Sequence, residues 1–239
     1  MSKCIKISDF ARDERNFNMH TEVGKKRNER FENLEKKSFG KNINKYDIPE
    51  LAPVSDIDGM IEFVSFNRLK TLRQRSRYGV HFFIDDYQFD RLWQRPEVYL
   101  QMFQECKCVL TPDFSLYTDA PYSMQLWKHY QKQWLGCYMQ SAGIRTIPTL
   151  GWSDERSFEF CFEGIPNNGT VAVSSVGVMN SAQTKDFFKK GFGRAIEVLT
   201  PSTVLFFGKI PEGIKVGRFK ILHYPHEFDV KFKTLRDGR

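Results

Sequence analysis

Short runs of apolar, β-branched and aromatic residues recur along this chain at intervals of roughly 25 to 35 residues, and segments of helical period fill the spaces between them. The runs are "IEFVSF" (61–66), "VHFFID" (80–85), "KCVLTPDFSL" (107–116), "IRTIPTL" (144–150), "TVAVSSV" (170–176) and "TVLFFGK" (203–209), with "FEFCF" (158–162) as an additional short one. Their composition predicts β-strands. The helical pattern covers "PEVYLQMFQEC" (96–106), "PYSMQLWKHYQKQWLGCYMQSAG" (121–143) and "AQTKDFFKKGFGRAIEVL" (182–199). Pro96 and Pro121 stand where a first-turn proline is tolerated, and Gly143 where a left-handed helix stop belongs.

Intervals of this length hold a crossover helix and are too long for hairpins. The strand segments are apolar throughout rather than alternating, as a sheet covered on both faces requires. The fold class expected is therefore α/β: a mainly parallel sheet with crossover helices, either a complete or partial β/α barrel or an open three-layer sheet.

The first 46 residues break this pattern. They are rich in Lys, Arg, Glu and Asn and hold too few aliphatic residues to offset chain entropy by burial. Residues 1–46 are read as a basic, polar N-terminal arm, and 47–239 as a single α/β domain ending in a basic tail, its start marked by Pro49 and Pro53. The chain has 239 residues, 41% of them hydrophobic, with no apolar run long enough to span a membrane and no apolar centre in its first residues. A cytoplasmic protein without a membrane partner is expected. The five cysteines are odd in number and scattered, and no second Cys or His pair stands at zinc-site spacing, so buried thiols are the reading.

Charge changes the picture once it is located. Of the net +7, residues 1–46 contribute +5 (12 basic, 7 acidic) and residues 212–239 contribute +3 (7 basic, 4 acidic). Within the balanced segment between 47 and 78, Arg68, Lys70, Arg73, Arg75 and Arg77 lie in ten residues without an acid. Such a run can hold phosphates in a salt-dependent way; a solvated helix face or a subunit contact is the plain alternative.

In parallel α/β folds ligands bind at the carboxyl ends of the strands. Polar residues concentrate there in this chain: Asp85, Asp86 and Tyr87 after the second run, Asp113, Ser115, Tyr117 and Asp119 after the third, Thr149, Trp152 and Asp154 after the fourth, Ser174, Ser175 and Gly177 after the fifth, Gly208 and Lys209 after the sixth. Asp85, Asp86 and Asp113 are the candidate catalytic residues and the candidate ligands of a divalent metal such as Mg or Mn, since close carboxylates either share a cation or push their pKa values apart. The plain alternative is that each aspartate caps a helix or closes a turn, and Asp119, two residues before Pro121, fits a cap. Tyr87, Ser115, Tyr117, Trp152, Ser174 and Gly177 are the candidate ligand-binding residues, with Trp152 and the tyrosines able to stack a base or sugar. His81 begins its predicted strand, at the end opposite the proposed site, and His223 and His226 lack a third metal ligand. Without a G-x-S-x-G elbow, a serine hydrolase is disfavoured.

The segments "VHFFIDDYQFDRLWQRPEVYL", "VLTPDFSLYTDAP", "GIRTIPTLGWSDERSFEFCFEGIP", "VAVSSVGV" and "PSTVLFFGKIP" together resemble a bacterial and phage family catalogued as domain of unknown function 4417, carried by prophages, plasmids and conjugative elements. The resemblance spans about residues 60 to 212 and implies a mobile-element protein; it brings no catalytic role with it. Two functions are then in view. One is a nucleic-acid-associated protein, acting as a metal-dependent phosphodiester-processing enzyme whose basic run holds phosphates. The alternative is a non-enzymatic α/β domain that binds a small molecule, a nucleotide, or a host or phage protein partner. A glycosidase-type barrel rests on fold analogy alone.

Overall fold

The computed structural model describes residues 44–225, apart from Asp56, Asp58, Met179, Asn180, Lys215, Val216 and Arg218. The basic arm up to residue 43, the tail from 226 and His226 lie outside the described residues. The described residues hold seven strands: β1 (Glu62–Ser65), β2 (Tyr78–His81), β3 (Cys108–Leu110), β4 (Thr146–Ile147), β5 (Thr170–Ser174), β6 (Thr203–Phe207) and β7 (Lys220–Tyr224). The α-helices are α1 (Asp90–Gln94), α2 (Leu100–Gln104), α3 (Tyr122–Ser141) and α4 (Ala182–Leu199). A capping box at Ser181 and Thr184 starts α4. Helix α3 starts at Pro121 without a side-chain cap, so Asp119 does not cap it.

All pairings are parallel, in two sheets ordered β1-β2-β3-β4 and β5-β6-β7. A parallel bridge between Thr149 and Ala172 joins them, with Leu150 N–H donating to the Ala172 carbonyl at 2.7 Å. Strand order therefore follows chain order without reversal, which is the winding of a barrel rather than of a doubly wound sheet. Among the described residues the barrel does not close and no ladder joins β1 to β7. Side chains bridge the seam instead, with Tyr224 Oη accepting from Ile61 N–H at 3.3 Å and the Phe63 and Tyr224 rings edge to face at 5.2 Å. The fully closed alternative thus falls, and an incomplete β/α barrel remains.

The two-residue period of a strand sorts side chains into an inner and an outer core. Cys108, Leu110, Ile147, Ala172, Leu205, Phe207, Leu222 and Tyr224 pack inside the curl. Val80 and Val109 face α1, α2 and α3 on one outer side, and Val171, Val173, Val204 and Phe206 face α4 on the other. Gly79 on β2 leaves room for the inner Phe63 ring, which a Cβ there would strike at 2.5 Å.

Two expectations are corrected. "FEFCF" is no strand: residues 155–159 form a 3-10 turn that Asp154 caps by accepting from the Arg156 N–H, and the turn continues to Gly164. The predicted helix over 96–106 is a 3-10 turn (Pro96–Tyr99) followed by the short α2.

Candidate functional site

At the carboxyl ends of the strands the curled sheet opens into a cavity of about 930 Å³. Inner positions that end five of the strands form its floor: Ser65 on β1, His81 on β2, Ser174 on β5, Phe207 on β6 and Tyr224 on β7. The loops that follow supply its walls.

Of the residues singled out by sequence, Asp85, Asp86, Asp113, Tyr87, Ser115, Tyr117, Ser174 and Gly177 all line this cavity, and so does Arg68 from the basic run. Trp152 does not. Its indole N–H donates to the Phe187 carbonyl at 3.3 Å and its ring packs on Phe188, so it anchors α4 to the loop after β4. Lys70 lies over the Tyr99 ring, Arg77 over the Tyr78 ring, and Arg75 is paired with Glu105 at 2.8 Å, while Arg73 is exposed. Arg68, Lys70, Arg73 and Arg77 are exposed and Arg75 is half-buried; of the five, Arg68 lines the cavity.

The three aspartates differ in their surroundings. Asp86 accepts the Ser115 backbone N–H at 3.2 Å and its hydroxyl at 2.9 Å, with Lys128 Nζ 3.7 Å away. Asp113 lies 3.7 Å from Nζ of Lys132, a lysine only 1% exposed whose ammonium also donates to the Thr149 carbonyl. Asp85 is exposed and accepts from Gln88. Among the described residues, no three His, Cys, Asp or Glu side chains gather closely enough to hold a metal ion. The aspartates therefore differ in role: Asp86 ties two loops and meets Lys128, Asp113 pairs with Lys132 in the wall, and Asp85 stands exposed at the rim beside Gln88.

Desolvation in the cavity wall raises the Asp113 carboxyl to about 6; the anion of Asp86 adds to the rise and Lys132 opposes it. A directional chain of hydrogen bonds lines the opposite wall: Ser65 Oγ–H donates to Asn67 Oδ1 at 2.7 Å, Asn67 Nδ2 to Gln88 Oε1 at 2.6 Å, and Gln88 Nε2 to Asp85. The chain runs from β1 to Asp85, and each amide keeps a second N–H beside its oxygen, so the wall presents both donors and acceptors. The rings of Tyr87 and Tyr117, 78% and 62% exposed, stand at the rim.

His81 was expected at the far end of its strand. Strand β2 begins two residues earlier than the apolar run and ends on His81, which places the ring at the cavity floor. Its Nδ1 accepts the Phe83 N–H at 3.2 Å, which leaves the ring proton on Nε2. The available signal was the inner-face alternation Gly79, His81 against outer Val80. Ser65, Asn67, Arg68 and Gln88 were likewise not read as neighbours of Asp85, because their meeting depends on β1 lying beside β2.

No helix among the described residues is long and apolar enough to cross a membrane. Fold and site together define an α/β protein with a ligand-sized cavity at the carboxyl ends of an incompletely closed parallel barrel. The chain belongs to the family described as domain of unknown function (DUF4417), whose model matches residues 41–225. It is similar to the Gene 1 protein of Mycobacterium phage L5, 35% identical over 195 residues covering 81% of this chain and 85% of that protein. It is similar also to the Gene 1 protein of Mycobacterium phage D29, 33% identical over 193 residues covering 81% and 72%. The association of the family with phages rests on these relatives. No solved structure matches the chain.

Proposed function

We propose that the protein binds a small ligand of nucleotide type, one that carries an anionic group, hydroxyls and a flat ring, in the cavity at the strand ends. The observation that carries this reading is the joint presence around one space of about 930 Å³ of Arg68, the acceptors of Asp85 and Asp113, and the exposed Tyr87 and Tyr117 rings. The volume suits a small ligand. Arg68 matches a phosphate, the carboxylates match hydroxyl donors, and a tyrosine ring stacks a base. Ser174 and Gly177 add a floor where a ligand can approach closely. Calorimetric titration of the purified protein with nucleoside monophosphates tests it; heats no larger than dilution with every one of them would dismiss it.

A second reading, association with a nucleic-acid strand, is favoured by Arg68 belonging both to the cavity and to the run that continues through Lys70, Arg73 and Arg77. A strand end would then occupy the same cavity. The metal-dependent form of that reading has less support, because Lys128 and Lys132 already stand where a cation would meet Asp86 and Asp113. Gel-shift titrations across salt separate the two readings: mononucleotide binding without strand binding leaves only the first.

A further inference from the structure

Two groups of rings line the cavity, one at its base and one at its mouth. At the base the inner face of the curl is aromatic. Phe83 and Phe207 stand 4.7 Å apart between ring centroids, Phe207 stacks on Tyr224 at 4.7 Å, and Phe63 meets Phe207 and Tyr224 edge on at 5.3 and 5.2 Å. Gly79 makes this packing possible by leaving the Phe63 ring its room. Phe207 and Tyr224 are each 8% exposed, whereas Tyr87 and Tyr117 at the mouth are 78% and 62% exposed. The contact of Asp86 with Ser115 ties the two loops that carry these tyrosines, so the rim rings belong to one joined element. A ligand with a single base would leave one of the two ring sites unused.

The charge of the lining sets a second limit. Among the described residues, its Asp, Glu, Lys and Arg side chains are Arg68, Asp85, Asp86 and Asp113. Lys128 and Lys132 stand beside Asp86 and Asp113, each 3.7 Å from its carboxylate. Arg68 then balances Asp85, and this set holds no positive surplus for a polyphosphate, whose clustered charges call for several cations. One phosphodiester charge suits a single guanidinium.

We propose that the cavity takes two nucleosides joined by one phosphodiester: the first base stacks on the floor of Phe63, Phe83, Phe207 and Tyr224, Arg68 meets the phosphate, and the second base stacks on Tyr87 or Tyr117 at the mouth. This rests on the nucleotide reading given above and names the ligand class within it. The size agrees, because about 930 Å³ lies near the top of the roughly 300 to 1,000 Å³ spanned by ligand sites. The wall that carries Arg68 adds the amides of Asn67 and Gln88, donors and acceptors for sugar hydroxyls. Such a unit reaches the site from either of two sources, a free dinucleotide or the last two residues of a single strand.

Calorimetric titration of the full-length protein with adenosine 5′-monophosphate, adenylyl-3′,5′-adenosine and adenosine 5′-triphosphate tests the assignment. The dinucleotide should bind about tenfold or more tighter than the monophosphate, as a second stacked base implies, and the triphosphate more weakly than the monophosphate. Tyr87→Ala combined with Tyr117→Ala should remove the advantage of the dinucleotide over the monophosphate. Phe83→Leu keeps an apolar floor and should weaken both ligands by about fivefold, so their ratio is preserved. Saturation-transfer NMR on the unmodified protein reads the same geometry where a variant does not fold: protons of both bases of the dinucleotide should take up saturation. A dinucleotide that binds no tighter than the monophosphate, or a triphosphate that binds tightest, overturns the proposal and spares the nucleotide reading. Absence of binding by all three dismisses both. A linear oligoadenylate that displaces the dinucleotide, where a circular strand of the same sequence does not, supports the two-base site with a strand end as its source; a dinucleotide that no strand displaces supports it with a free dinucleotide.

Discussion

The carboxylate of Asp86 and the backbone and hydroxyl of Ser115 tie the loop after β2 to the loop after β3 across 29 residues of sequence. These loops carry Asp85 and Asp113, so the Asp86 contact sets the distance between the cavity walls. Asp86→Ala leaves the half-buried Ser115 N–H without its acceptor and removes charge-assisted hydrogen bonds, and should cost about 2 to 3 kcal/mol in urea unfolding. Ser115→Ala keeps the backbone bond and should cost about 1 kcal/mol. Equal losses would mean that the hydroxyl, rather than the N–H, joins the loops.

Stability should respond to acid through two groups of opposite sign. His129 is fully buried on α3, its Nε2 bonded to the Glu163 carbonyl, and desolvation, helped by the nearby Lys132 charge, lowers it to about 3. From pH 6.5 downward the unfolded chain protonates His129 while the folded chain does not, so this group removes stability as the solution is acidified. Asp113 does the reverse: its contribution, from a folded value raised to about 6, is fully present below 3.8 and is lost as pH rises through 6. The Tm of His129→Gln relative to wild type should therefore climb steadily from pH 6.5 to 4, and the Tm of Asp113→Asn relative to wild type should climb between pH 4 and 7. Flat differences in a differential scanning series would contradict the burial of His129 and the desolvation of Asp113 by the cavity wall.

How far the sequence discloses this arrangement depends on the kind of residue. The continuous apolar runs of β5 and β6 and the capped α4 are local signals, and they are legible because local propensity and tertiary burial agree there. The carboxyl-end rule located most of the cavity's acidic and hydroxyl residues. Strand β7, "KILHY", is not legible as an apolar run because it alternates and has basic neighbours; Leu222 and Tyr224 pack inside the curl, while the outer face carries a half-buried Ile221 and an exposed His223. His81 was misplaced by a shift of strand boundary, the least certain feature of any local pattern. Helix α3 hides its role most fully: Gln125, His129, Lys132 and Gln133 are buried polar residues whose partners are loop carbonyls and hydroxyls far along the chain, such as Glu163, Thr149 and Ser153. Nothing in the period of a helix announces such partners.

Trp152 offers a control that separates fold from site. Its indole occupies the space beside Gly191 on α4, where any added Cβ would collide with the ring. Gly191→Ala should displace Trp152 or α4 and cost about 1 to 3 kcal/mol of stability, while ligand affinity measured on the folded fraction stays unchanged. A loss of affinity larger than the unfolded fraction accounts for would place Trp152 in the binding machinery after all.

The basic run divides by structure into residues with different work, and mutation should expose the division. Arg75 is held from both sides, its Nε on the Leu69 carbonyl at 3.1 Å and its terminal nitrogen on Glu105 at 2.8 Å, with a side chain 20% exposed. It braces the turn before β2 against the end of α2. Arg75→Ala should therefore lower stability by about 1 kcal/mol and leave the salt dependence of any nucleic-acid binding as it was. Arg73 has the opposite profile, exposed at the turn, and Arg73→Ala should spare stability; if a strand binds here, it should reduce the slope of log affinity against log salt by about 1. Arg68 stands at the cavity, so Arg68→Ala should weaken a mononucleotide and a strand alike, by about tenfold or more if it meets a phosphate bidentately. If Arg68→Ala weakens only the strand, the phosphate of a small ligand lies elsewhere in the cavity, and the orientation with the anionic group at β1 and the hydroxyls at Asp113 must be reversed.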